Sequence, residues 1–515
     1  MSALLSPAIR KALVRLPLLF CIGLFLFHLS VIRRYAVNIP NMDDWTMFSA
    51  GNHPASLDRA WLFGLNNEHR TATTRFFVWL QFQVNGWNIR THLLMDFIIY
   101  GFFLAALVWF ARRVAPDISI WIVWTFVVFL LSPIIWLEHF MAYPVAVHFW
   151  VLFFFISAYF LFSEDQKWSC LLAGCGASIL SSYSFASGVA TSFVLLLAFW
   201  MFKGLRAYEA AAKTKERSRE IRQLLLVTGL IGASLIGWMI GYEKPPYHGP
   251  LTFPYAWSFW RFFLNLVPGG FGIGRISSVW GMICLLIILV PICGEVWKQR
   301  GKLSSAHWAG FAAVAALLGN LALISMGRTS LGIDQSRAIE YVEHALPLLI
   351  LSVLNWGVFL RGRSKLRLAV TAALWLFCCF TFRNDWDFGI YRSAAAERTE
   401  NVRCVKAYYE GTGDGRCPKT YPVALHVLFV QLMEQAKRVN ASFYQEMHVR
   451  VPSDRKTVSR NLGGWPRDQS KPGAALDDTF CDADAPVMTR PANSREVSVL
   501  VSSGCESVNL HGENR

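Results

Sequence analysis

Residues 12–48 read ALVRLPLLFCIGLFLFHLSVIRRYAVNIPNMDDWTMF: a mostly apolar run, two arginines, then two adjacent carboxylates, Asp43 and Asp44. About 20 consecutive apolar residues are what a helix needs to cross the hydrocarbon core of a bilayer. This run is long, lacks a small-residue cleavage site and is followed by Arg33-Arg34, so it reads as a span rather than a cleaved leader. The carboxylates open a loop rich in Trp, Arg and His that continues to about residue 92.

Working outward, similar runs recur along the chain. Eleven candidate spans fall near 12–31, 93–111, 118–137, 143–162, 169–185, 187–203, 223–242, 277–294, 306–326, 344–360 and 366–382. The polar break SSYSFASG (181–188) separates two short ones, the fifth and sixth. Composition agrees: 54% of the 515 residues are hydrophobic, 16% are charged and mean hydropathy is +0.37. Soluble domains carry about 25% charged residues, so the fold class is an α-helical polytopic membrane protein.

The net charge of +15 does not point to nucleic acid, because the basic residues cluster in short loops between apolar runs. Placing the N-terminus in the cytoplasm keeps Arg112-Arg113, the basic segment 203–222, KQRGK (298–302) and RGRSKLR (361–367) inside. The loops 33–92, 243–276 and 327–343 and the tail from about 383 then face outward. The expected location is a bacterial inner membrane.

The chain thus divides into a transmembrane part, 1–382, and an extracytoplasmic domain, 383–515. The tail is near charge balance, with 18 Lys/Arg against 17 Asp/Glu. Residues 421–447 read as one amphipathic helix or two short ones, with Val427, Val430, Leu432 and Met433 near helical spacing. GGWPRDQSKPGAALDD (463–478) reads as loop and REVSVLVSSG (495–504) as a strand, so a small α+β domain is expected. Four of the 11 cysteines, Cys404, Cys417, Cys481 and Cys505, lie in this tail. Proximity favours disulfides Cys404–Cys417 and Cys481–Cys505, and no CxxC spacing supports zinc.

The outward loops carry the candidate chemistry. In the first, Ser56 is placed to cap a helix from Leu57, and a second helix runs from Thr73 to about Val84, flanking the polar knot Asn66-Asn67-Glu68-His69-Arg70. Glu-His pairs recur at Glu68-His69, Glu138-His139 and Glu343-His344. Ionisable groups near membrane depth are costly and so point to function, against the plainer reading of interfacial residues solvated by headgroups. With Asp43, Glu68 could ligate Mg²⁺ or Mn²⁺, since carboxylates suit hard cations. Arg328, Arg337 and Tyr341 in 325–344 suit a lipid phosphate, which arginine can grip with two parallel hydrogen bonds; a rim neutralising anionic lipid is the alternative. The loop 243–276, with PGGFGIGR, reads as a flexible lid, and Gly237-xxx-Gly241 as close helix packing.

DDW early in the first outward loop, NNEHR further along it, SYSFASG between short spans and GR…GIDQSRAIEY before a late span together resemble the GT-C glycosyltransferases. The likeness is to members related to the protein mannosyltransferase, aminoarabinose transferase and arabinosyltransferase groups, and it covers roughly 1–382. It implies an acidic catalytic base in the first outward loop, a polyprenyl-phosphate sugar donor, and transfer to an extracytoplasmic glycan or lipid. Asp44 is the preferred base because interfacial Trp45 would fix its depth, with Asp43 the alternative. Glu68, His69, Arg70, Glu138, His139, Arg328, Arg337 and Tyr341 are candidate substrate-binding residues. A flippase or transporter of lipid-linked sugars and a membrane O-acyltransferase are the rival classes.

Overall fold

The computed structural model describes residues 7–49, 53–210, 214–244, 249–300, 302–421 and 425–447, with side chains from Arg15 onward. The chain is α-helical and polytopic. Among the described residues, eight helices are long and apolar enough to cross a membrane, and three shorter apolar helices fall at the remaining positions read from the sequence.

The first is α1 (Pro7–Tyr35). A 3-10 turn at Met42–Phe48 and the short helices α2 (Arg59–Phe63) and α3 (Ala72–Asn85) fill the first loop. Then follow α4 (Ile89–Val114), α5 (Ile120–Leu130), α6 (Val145–Leu161), α7 (Trp168–Ser182), α8 (Ala186–Glu209) and α9 (Thr214–Met239). Helix α10 (Trp257–Leu266) precedes α11 (Ser278–Gln299) and α12 (Ser305–Arg328). Short α13 (Ile339–Ala345) runs almost directly into α14 (Pro347–Phe359), and α15 (Ser364–Thr381) is the last span.

Burial explains the arrangement. In the segment running from α13 into α14, 89% of the most apolar 18 residues are buried, so it runs through the interior of the bundle. Helices α1, α11 and α15 instead turn large apolar side chains outward, among them Phe20 (57% exposed), Leu286 (56%) and Leu376 (62%). Such faces are stable only against lipid.

The two ends of the bundle differ chemically. At one end, short connections are tied by Arg361–Asp117 (2.6 Å), Lys203–Glu220 (2.6 Å) and His307–Glu295 (3.3 Å). At the other, the long loops gather. Thr73 N–H donates to the Tyr183 carbonyl (3.0 Å), Thr252 N–H to that of Met326 (2.9 Å), and Met42 N–H to that of Thr420 (2.9 Å).

Local readings fare unevenly. The polar knot is a two-residue hairpin, β1 (Leu65–Asn66) against β2 (His69–Arg70), turning through Asn67 at φ 52°. The cap expected at Ser56 is displaced to Asp58, since α2 starts at Arg59. The lid reading of 243–276 is corrected: α10 and the turn after it bury Phe259, Phe262, Phe263, Leu266 and Phe271. Gly270 sits against the Ala345 carbonyl, where an added Cβ would come within 2.2 Å, so the glycine run serves close packing.

In the tail, α16 (Ile390–Glu410), which the sequence reading missed, precedes α17 (His426–Arg438) and α18 (Ser442–Glu446). The expected pair of short helices in 421–447 is present, but with a shifted face: Phe429, Leu432, Met433 and Ala436 are buried while Val427 is exposed. The disulfide Cys404–Cys417 is formed. Cys481–Cys505, the loop 463–478 and the strand 495–504 lie outside the described residues. The described residues to Met447 form a single compact unit.

Candidate functional site

A cavity of about 620 Å³ opens at the end of the bundle where the long loops meet. Its charged lining is Asp43, Glu68, Glu138, Glu340, Arg328 and Lys244, supplemented by His69, His344, Tyr341 and Asn320. Apolar side chains form the rest of the wall, Val189 and Phe193 from α8 facing Leu323 and Ile324 from α12. The site is therefore wet at one side and greasy at the other.

The paired carboxylates split. Asp44 is fully buried away from the cavity. Its Oδ1 accepts from Ala142 N–H (2.9 Å) and Tyr143 N–H (2.7 Å), and its Oδ2 from Asn41 N–H (3.0 Å). These bonds tie the first loop to the segment between α5 and α6. Asp43 faces the cavity, and its carboxylate takes no hydrogen bond from the described residues. Burial and then the charges of Glu340, Asp44 and Glu68 push its pKa up to about 6, partly offset by Arg328. Asp44, expected as the base, is placed away from the cavity and takes three backbone hydrogen bonds, which is the arrangement of a brace.

The remaining candidates divide in the same way. Glu68 and His69, on either side of the hairpin turn, line the cavity; Glu68 is ion-paired with Arg328, and His69 stacks on Phe185 at 3.9 Å. Tyr341 lines it too, beside Glu340 to which it hydrogen-bonds. Glu138 borders the cavity, whereas His139 is buried among His28, Phe97 and Tyr100, with neither ring nitrogen bonded among the described residues. Burial and the nearby Glu343 and Glu340 hold the Glu138 carboxyl well above its ordinary value.

Arg70 and Arg337 do not reach the cavity. Arg70 donates to the carbonyls of Trp238 (2.8 Å), Phe63 (2.5 Å) and Ile240 (2.5 Å), clamping the hairpin to the end of α9. Arg337 donates to the Ile273 (2.8 Å) and Arg275 (2.5 Å) carbonyls, closing the loop after α10. Long outward arginines are as well suited to unsatisfied carbonyls as to phosphate, and sequence gives no means of telling the two apart.

Sequence reasoning missed Glu340 and the cluster beneath it. Glu340 and His344 are one helical turn apart on α13 and both line the cavity, a spacing legible in EYVEH. Glu343 points the other way, to His148 Nε2 (3.0 Å), whose Nδ1 meets Asp96 Oδ1 (2.5 Å). All three side chains are buried, and they pin α13 from behind. Asp96 carries no sequence signal beyond being an acid in an apolar helix.

Among the described residues no group of three or more His, Cys, Asp and Glu side chains is assembled to hold a metal ion. Glu68, one of the two carboxylates expected to ligate one, is engaged by Arg328.

No family model matches the chain, and no curated protein matches it. A solved structure it resembles is the crystal structure of ArnT from Cupriavidus metallidurans bound to undecaprenyl phosphate. Identity is 13%, the match covers 85% of this chain and 78% of that one, and the TM-score is 0.37. At that score the backbones do not superpose closely, and no residue correspondence follows.

Proposed function

We propose that the protein is a membrane glycosyltransferase that moves a sugar from a polyprenyl-phosphate donor to an extracytoplasmic hydroxyl, with Asp43 as general base. The observation that carries this reading is the carboxylate of Asp43, which takes no hydrogen bond from the described residues and faces a half-apolar cavity that also holds Arg328 and Lys244. The GT-C resemblance of the sequence motifs supports it, as does the gathering of the long loops at one end of the bundle.

The chemistry follows from the charges. The acceptor oxygen attacks the anomeric carbon while Asp43 takes its proton, and the bond from that carbon to the phosphate oxygen breaks. A single displacement of this kind inverts the anomeric centre. The leaving polyprenyl phosphate carries the developing negative charge to Arg328 and Lys244. A base with a pKa near 6 is ionised at neutral pH yet still basic enough to accept a proton in the transition state. Burial and the neighbouring Glu343 and Glu340 push the Glu138 carboxyl toward its neutral, hydrogen-bond-donating form, a different role from that of Asp43 in the same cavity. The apolar wall between α8 and α12 suits the prenyl chain.

One observation favours a second reading, transport of a lipid-linked sugar: the buried Asp96–His148–Glu343 cluster, since charges inside a bundle mark ion pathways in transporters. Its position on α4, α6 and α13, behind cavity residues, fits a brace better.

The test is the surface-glycan profile, by mass spectrometry, of cells carrying wild type, Asp43→Asn or no protein. Loss of the same sugar unit in the last two is expected. A full profile in Asp43→Asn cells at normal protein level, with the unit missing only in the null, refutes Asp43 as base; a full profile in all three refutes transfer.

A further inference from the structure

Residues of the tail contact Asn41, Met42 and Trp45 on either side of Asp43 and leave Asp43 itself to the cavity. Asn401 on α16 donates from Nδ2 to Asn41 Oδ1 (3.4 Å) and to the Lys419 carbonyl (3.2 Å). Thr420 accepts the Met42 N–H at 2.9 Å. Arg398, also on α16 and buried over the Phe140 ring (4.9 Å), is the electrostatic partner of Asp44. Trp45 packs edge-on against Phe429 of α17 (4.9 Å) and Phe443 of α18 (5.3 Å).

The disulfide sits in the middle of this grip. Cys404 lies one turn after Asn401, and the Cys417 carbonyl accepts the Thr420 and Tyr421 N–H groups (2.9 and 3.1 Å). The bridge therefore ties the helix bearing Asn401 to the turn bearing Thr420, and those two residues hold Asn41 and Met42 on either side. Met42 is in the left-handed region at φ 50°, a conformation that a methionine keeps only when its surroundings impose it. Here the imposed partner is the Thr420 carbonyl.

We propose that the tail module α16–α18, closed by the Cys404–Cys417 bridge, is a positioning element for Asp43, so that opening the bridge releases the segment that carries the base. The proposal rests on the functional reading above. It assigns the tail a role in setting the reactive carboxylate rather than in binding substrate. Asn401 and Thr420 are positioning residues, since neither touches the cavity.

The test uses the purified full chain in lipid nanodiscs and two readouts. Hydrogen exchange followed by mass spectrometry reports on the peptide covering 41–48, in oxidised wild type, dithiothreitol-treated wild type and Asn401→Ala. Exchange in that peptide is expected to rise about tenfold on reduction and in Asn401→Ala, with the 93–111 span unchanged. Transfer is measured in parallel, with Asp43→Asn as reference. A fall in kcat on the order of 100-fold at unchanged KM is expected for the reduced protein, as for a misplaced reacting group. Unchanged exchange at 41–48 after complete reduction overturns the proposal. So does unchanged kcat in reduced protein when Asp43→Asn is inactive, an outcome that leaves Asp43 as base. Activity in Asp43→Asn refutes the functional reading instead, and with it the role assigned to the tail.

Discussion

Replacing each of the two neighbouring carboxylates by its amide separates a brace from a base. In Asp44→Asn, one amide oxygen can still serve Ala142 and Tyr143, but the NH₂ then faces the Asn41 N–H, donor against donor. A hydrogen bond to a charged acceptor is worth about 1.5–3 kcal/mol. The mismatch lies inside the fold, where no water replaces the lost bond, so about 1.5–3 kcal/mol is expected. That is a large part of the roughly 5–15 kcal/mol that holds a typical protein folded. Asp43→Asn breaks no side-chain hydrogen bond from the described residues and relieves burial of a charge and repulsion from Glu340 and Glu68, so its stability at neutral pH should be equal to or above that of wild type. Its transfer rate should fall about 10²–10⁴-fold, the usual contribution of a general base. Thermal unfolding in detergent and transfer by membranes adjusted to equal protein are the assays. Wild-type stability with no transfer in Asp44→Asn, together with an active Asp43→Asn, refutes the assignment.

Three further outcomes are expected. Transfer measured as kcat/KM should fall tenfold per unit below a midpoint near pH 6 as Asp43 is protonated, and stay level above it; because the folded pKa exceeds the unfolded one, this ionisation lowers stability as pH rises from about 4 to 6 rather than raising it. A midpoint near 4 in the pH–rate profile would place the base elsewhere. Arg328→Met should reduce transfer about 10²–10³-fold with Arg328→Lys partly restoring it, and equal loss in both would mean that Arg328 serves Glu68 rather than phosphate. His148→Leu should cost about 3–5 kcal/mol, because Asp96 and Glu343 are left buried without their shared partner; an unchanged unfolding temperature would show that the cluster braces nothing.

The distribution of these residues shows which physical signals act locally. Span positions follow from the length of apolar runs, which is a property of consecutive residues, and all eleven fall where the helices form. The Cys404–Cys417 bridge was legible from proximity for the same reason. The cavity's Glu68, His69, Glu138, Arg328 and Tyr341 could be found because polar groups stand out at the edge of apolar spans. Arg70, Arg337 and His139 show the same contrast and serve packing instead, since the contrast does not say which way a side chain points.

Sequence by itself determined the membrane class, the positions of the apolar helices and the pairing of one disulfide. Only the tertiary structure sets Asp43 and Asp44 in different surroundings. The two share a 3-10 turn with about three residues per turn, so neighbours point roughly a third of a turn apart. One direction meets the backbone of 142–143 and the other opens on the cavity. Nothing in DDW encodes that difference, because the groups that create it lie about 100 residues away along the chain and, in the tail contacts, more than 350.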